Sequence, residues 1–190
     1  MSEFEFVFVL YSLVLGLSLV ELLNGLGRTL EFKLSRDADD KAFAIGWLTP
    51  LLAVFVILDL LSFWMFSWRV RDLVTATPGM VLGVLVFASA YFLASRLVFP
   101  SNPENFTDLD THYFRVRRIV FAMLIVMVGV QWLFLLSLPQ LAELLRSPLA
   151  VGLTLALVAL MVIAGITSNR RASIGVLALL IVRYLVIYLI

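Results

Sequence analysis

Six apolar runs divide the chain, at roughly residues 5–26, 43–68, 79–99, 113–137, 148–167 and 173–190. Each is close to the ~20 residues that an α-helix, rising about 1.5 Å per residue, needs to cross the hydrocarbon of a bilayer. Pro78-Gly79, Pro100-Ser101-Asn102-Pro103, Pro139 and Ser147-Pro148 all fall between runs, where a missing N–H or a fixed φ does no harm to a helix interior. The pattern predicts an all-α fold, a polytopic bundle of six transmembrane helices forming one domain over residues 1–190. The first run opens on Glu3 and Glu5 where a signal peptide would be basic. Glu21-Leu22-Leu23-Asn24 stands where a small-residue cleavage site would be needed, so the run reads as a mature helix.

Composition sharpens this reading by exclusion. Of 190 residues, 63% are hydrophobic and only 14% charged, against about 25% charged in an ordinary globular chain. Too little sequence lies outside the runs to close a second hydrophobic core, which excludes a soluble catalytic domain. A net charge of +1 argues against a nucleic-acid partner. With no cysteine there are no disulfides, thiolate metal sites or Cys nucleophiles. The single histidine, His112, cannot supply a bis-His haem site. His-Glu-x-x-His, Gly-x-Ser-x-Gly and a phosphate-cradling Gly-Lys-Ser/Thr are all missing. No enzyme, cofactor or bound metal is expected, and the obligatory partner is the lipid bilayer.

Basic residues assign an orientation. The connections after runs one, three and five hold ten, among them Arg28, Lys33, Arg36, Lys41, Arg115, Arg170 and Arg171; the opposite side holds only Arg69, Arg71 and Arg146. Because Lys and Arg resist translocation, both termini are expected to be extracytoplasmic and the two longer loops cytoplasmic, in a bacterial inner (plasma) membrane. Three spans followed by three of opposite sense also suggest a 3+3 inverted arrangement. Val7-Phe8 with Gly16 matches Val120-Phe121 with Gly129 at an offset of 113 residues, and Gly83-Val84-Leu85 matches Gly175-Val176-Leu177 at an offset of 92.

Four charged residues fall within the runs: Glu21, Asp59, Arg96 and Arg183. An ionised group near the bilayer centre costs about 2.5–3.5 kcal/mol, so each needs a partner, a wet cavity or a route to the interface. By helix rise, Asp59 and Arg183 lie in one half of the bilayer and Glu21 and Arg96 in the other. Two ion pairs, Asp59 with Arg183 and Glu21 with Arg96, are therefore expected. Alternatively the arginines snorkel to the interfaces and the acids are held by neighbouring hydroxyls or are simply protonated. In the first run Tyr11, Val14, Ser18, Glu21, Gly25 and Arg28 recur at steps of three and four on one face; in the second, Phe55, Asp59, Ser62 and Phe66 do the same. Either face lines a water-accessible path or forms an interhelical seam.

Asp108, Asp110 and His112 precede Arg115, Arg117 and Arg118 and read as a solvated acidic loop leading into a basic helix start. Pro139–Arg146 reads as a short interfacial helix. Ser12-x3-Gly16, Gly79-x3-Gly83 and Gly152-x3-Ala156 have the spacing of close helix contacts. Two functional classes fit. One is a small ion or solute channel or transporter using Tyr11, Ser18, Glu21, Arg28, Asp59 and Ser62, a channel of this size needing a homo-oligomer to surround its axis. The alternative is a non-catalytic membrane scaffold or accessory subunit, with buried charges setting helix register and the cytoplasmic loops holding a partner protein.

Overall fold

The computed structural model describes residues 3–35, 44–73, 75–139, 141–142 and 147–189. It contains six long helices: α1 (Glu3–Leu34), α2 (Leu48–Arg69), α3 (Pro78–Val98), α4 (Leu109–Leu136), α5 (Pro148–Ile166) and α6 (Arg170–Leu189). All six are long and apolar enough to cross a membrane, the build of an integral membrane protein. Single 3-10 turns follow α2 at Arg71–Leu73 and precede α4 at Pro103–Asn105. The charged residues Arg36, Asp37, Asp39, Asp40, Lys41 and Arg146, and most of the expected interfacial helix, lie outside the described residues.

Helix starts follow local chemistry. Thr77, Asp108 and Ser147 accept from the N–H groups of Met80, Thr111 and Ala150, capping α3, α4 and α5, and Pro78 and Pro148 occupy first-turn positions where a missing N–H costs nothing. Two helices run past their apolar stretches. α1 continues from Leu26 to Leu34 because Arg28, Glu31 and Lys33 change polarity without breaking the backbone ladder; its 32 residues span about 48 Å, well beyond a bilayer core of about 30 Å. α4 begins at Leu109, so Asp110 and His112 are helical.

α2 is the hub of the bundle. It packs against α1, α3, α4 and α6, and half of its most apolar window is buried, against 22–33% in the other five helices. α1 lies along α3, α3 against α4, α4 against α5 and α5 against α6. This packing does not support the expected 3+3 arrangement. Its closest helix pair, α1 with α3, would be mirrored by α4 with α6, and those two share no comparable contact among the described residues. The tight glycine contact between α1 and the end of α3 also misses the small-residue motifs. A Cβ on Gly25 would stand 2.6 Å from the Phe99 Cβ, whereas Gly16, Gly79, Gly83 and Gly152 have nothing within 4 Å.

The two ends of the bundle are built differently. At the end holding the α2–α3 connection and both chain ends, hereafter the terminal end, the helices splay around cavities. The opposite end, hereafter the loop end, is pinned by polar bonds. Ala44 pairs with Asp108 in an isolated parallel bridge, with Ala44 N–H donating to Thr107 O at 3.4 Å and Leu109 N–H to Ala44 O at 3.2 Å. Asp110 is 5% exposed, accepts the Leu48 N–H at 3.1 Å and pairs with Arg170. Thr49 Oγ1 donates to Leu109 O at 2.8 Å, and His112 Nε2 lies 3.1 Å from Leu97 O.

Asp110 and His112 therefore do not belong to a solvated acidic loop. The first N–H groups of α2 have no partner within their own helix, and a carboxylate supplied by α4 meets that need at the positive end of the helix dipole. Gly46, at φ +66°, lets the chain turn into α2 directly over that carboxylate, where any side chain would collide with it. Overpacking the α1–α3 contact in Gly25→Ala is expected to cost about 1–3 kcal/mol. In a melting curve of the detergent-purified protein this lowers Tm by several degrees, while Gly16→Ala, which meets open space, leaves it unchanged or raised.

Candidate functional site

Asp59, at the middle of α2, is fully buried. Its carboxylate accepts a hydrogen bond from the Tyr184 hydroxyl of α6 at one oxygen and lies 3.1 Å from the Tyr91 hydroxyl of α3 at the other. Tyr91 Oη is also 2.8 Å from the Val56 carbonyl. A hydrogen bond to a charged group contributes about 1.5–3 kcal/mol, so the Tyr184 bond, with the Tyr91 hydrogen shared between Asp59 and Val56 O, offsets much of the ~2.5–3.5 kcal/mol of a charge held at bilayer depth. Aromatic rings brace the tyrosines, with Phe55 at 6.0 Å from Tyr184 and Phe63 at 5.8 Å from Tyr91 between ring centroids. Tyr188, one turn beyond Tyr184, donates to Leu58 O at 3.0 Å. Three tyrosines from two helices thus hold the central segment of α2.

The expected ion pair between Asp59 and Arg183 is not formed. Tyrosine hydroxyls occupy the carboxylate, and the Arg183 guanidinium lies 5.1 Å from the Tyr184 ring centroid, with its Nη2 3.4 Å from Leu153 O. Arg183 Nε has no hydrogen-bond partner. At Asp59 the contacts are those of the hydroxyl alternative: neutral O–H donors lie against the carboxyl group, and no second ion is paired with it.

Glu21 and Arg96 are brought together. Arg96 Nη1 pairs with Glu21 Oε1, Arg28 Nη2 reaches the same oxygen at 3.3 Å, and Arg96 Nη2 donates to Ser101 Oγ at 3.2 Å. This clamp joins α1 to α3 near the loop end and is partly exposed, with 19% of the Glu21 side chain and 37% of Arg96 accessible. The rest of the α1 face is a packed seam. Tyr11, Leu15, Ser18, Leu22, Gly25 and Thr29 are buried, and Ser18 Oγ and Thr29 Oγ1 each donate to a carbonyl four residues earlier in their own helix. Ser18, Glu21 and Arg28 therefore line no path through the bundle.

A cavity of about 430 Å³ opens at the terminal end among α2, α4, α5 and α6, with Asp59, Ser62, Gln131, Thr154 and Arg183 in its wall and Arg69 further out along α2. Its volume falls within the roughly 300–1,000 Å³ typical of small-molecule sites. Toward the loop end the bundle is closed: Leu48, Leu52, Phe55, Val120, Met161 and Leu177 are all 0% exposed. The cavity is a dead end that reaches from one end of the bundle to mid-helix. A second cavity, of about 210 Å³, lies at the same end among α1, α2, α3 and α4; aromatic rings, Tyr11 among them, and aliphatic side chains line it. The two share Phe63, Phe66 and Gln131.

Of the residues singled out from the sequence, Asp59, Ser62 and Arg183 share the polar cavity, Tyr11 faces the aromatic one, and Ser18, Glu21, Arg28 and Arg96 lie elsewhere. Tyr91, Gln131 and Thr154 were not singled out; an isolated polar group deep in an apolar run is the one mark that could have flagged them. No protein-family model, curated protein or solved structure matches this chain.

The geometry separates the two expected pairs experimentally. Exchanging the charges of Glu21 and Arg96 is expected to recover folded protein that either single reversal loses, as judged by monodisperse yield from membranes. The same exchange at Asp59 and Arg183 is expected to recover none, since these two side chains are not paired in the first place and the exchange puts a larger, ionised guanidinium at the fully buried position of Asp59. Tyr184→Phe, which leaves a buried carboxylate oxygen short of a donor, is expected to destabilise the protein by about 1–3 kcal/mol.

Proposed function

We propose that this protein is a small-solute carrier whose solute site is the polar cavity ended by Asp59. A single observation carries the reading: a polar cavity open at one end of the bundle and closed at the other terminates at the middle of α2 on a buried carboxylate. Sites of this kind, near the bilayer midplane and reached from one side, are what alternating access requires, whereas an open channel needs a continuous wet path. The cavity lies within one chain, so the carrier reading needs no oligomer axis. On the distribution of basic residues the open end faces away from the cytoplasm.

The scaffold alternative finds support in the packed α1 seam, which has the dry, paired character that reading requires. A scaffold has no use, however, for a polar cavity running to the buried charge of α2. Glu21, named from the sequence as a cation-attracting group, has no place in the proposed solute site because two arginines engage it far from the cavity.

The chain has no cysteine, so single-cysteine variants give an unambiguous test. In sealed liposomes Thr154→Cys is expected to react with a membrane-impermeant thiol reagent from one side only, and Ser18→Cys from neither. Uptake across a panel of radiolabelled small solutes is expected to exceed that of empty liposomes and to fall to their level in Asp59→Asn. A Thr154→Cys variant that stays unlabelled from both sides would overturn the reading.

A further inference from the structure

Charge inside the polar cavity is unevenly satisfied. Asp59, at its inner end, has both oxygens engaged by tyrosine hydroxyls. Arg183, in its wall, faces no carboxylate within ion-pair distance among the described residues; its Nε is buried without a hydrogen-bond partner, and its contact with Leu153 O at 3.4 Å is long. Arg69, further out along α2, adds a second cation to the same wall. A guanidinium presents five N–H donors in a planar fork suited to carboxylate or phosphate oxygens, and inside a low-dielectric bundle unused donors are costly. The cavity therefore has an excess of positive charge with donors to spare.

Beside it lies the aromatic cavity, walled by Phe4, Phe8, Phe87 and Phe134 and bordering the polar one along Phe63, Phe66 and Gln131. Gly83 of α3 also lines it, and a Cβ added there meets nothing within 4 Å. A cationic polar compartment and an aromatic apolar compartment with a common border match the two halves of an amphiphile.

Building on the carrier reading, we propose that the solute is an amphipathic anion. Its carboxylate or phosphate head is held by Arg183 and Arg69, and its hydrocarbon part lies in the aromatic cavity past Phe66.

The test is calorimetric titration of the full chain in phosphatidylcholine nanodiscs, with empty discs subtracted, using octanoate, octyltrimethylammonium and acetate as probes. Octanoate is expected to bind at least about tenfold tighter than either comparator, and Arg183→Gln to weaken it about tenfold or more, the loss that follows removal of a charge-assisted hydrogen bond. Arg183→Lys, which keeps the charge without the fork, is expected to fall between wild type and Arg183→Gln, showing that the loss is not one of folding. Gly83→Leu, filling the aromatic cavity, is expected to bring octanoate down to the affinity of acetate.

Nanodiscs containing phosphatidylglycerol identify the source of the anion: displacement of octanoate assigns the head to a membrane lipid, and undiminished binding assigns it to a free amphiphile. Equal binding of octanoate and octyltrimethylammonium, or octanoate affinity unchanged in Arg183→Gln, overturns the proposal. If Thr154→Cys is still labelled from one side in that case, the carrier reading survives and only the solute class is wrong.

Discussion

Hydrocarbon offers no hydrogen bonds, and that constraint organises every polar group in this bundle. At Asp59 it is most severe: a fully buried carboxylate on the most central helix is held by the hydroxyls of Tyr91 and Tyr184. Those two bonds bring α3 and α6 onto α2. Because the donors are neutral, the carboxylate is satisfied without a buried counter-ion, and Arg183 is left to face the cavity. The partial vacancy of one cation and the completeness of the acid's own shell are two aspects of one arrangement.

The same constraint explains why the ends of the bundle differ. At the loop end the first N–H groups of α2 are capped from α4 by Asp110, Thr49 donates to Leu109 O, and Glu21 ties Arg28 and Arg96 together. Polar groups that satisfy one another in this way draw helices into close packing, and Leu48, Leu52 and Phe55 beneath them are fully buried. At the terminal end fewer such ties cross between helices; Trp64 Nε1 to Ser12 Oγ, at 2.9 Å, is one. Bulky rings hold the helices apart there, and cavities follow.

This division bears on movement. On the proposed carrier reading, alternating access needs one end able to open while the other is sealed, with a rigid element between them. α2, braced by three tyrosines at its centre, suits the rigid part. The Glu21 clamp, which ties α1 to α3 at the loop end, is partly exposed, whereas the Asp59 carboxylate is fully buried.

Much of the architecture was legible in the chain because it rests on one-dimensional quantities. Six helices, their breaks at Pro78, Pro100 and Pro148, and the need of Asp59 for shelter all follow from hydropathy, helix rise and the cost of a charge in hydrocarbon. The extensions of α1 past Leu26 and of α4 back to Leu109 were hidden, because polar residues end a hydropathy run without ending a helix. The partner of each embedded charge depended on helix adjacency, which depth alone does not carry: Arg96 meets Glu21 because α3 lies along α1, while Tyr184 reaches Asp59 before Arg183 can, one residue being enough to rotate a side chain by about 100° around its helix. Gln131 and Thr154 entered the cavity wall for the same reason. Composition decided that this protein lives in a membrane as six helices; only the packing of those helices decided which polar groups face one another and which face open space, because contact across a bundle is set by rotation and neighbour order and neither is written in a linear count of apolar residues.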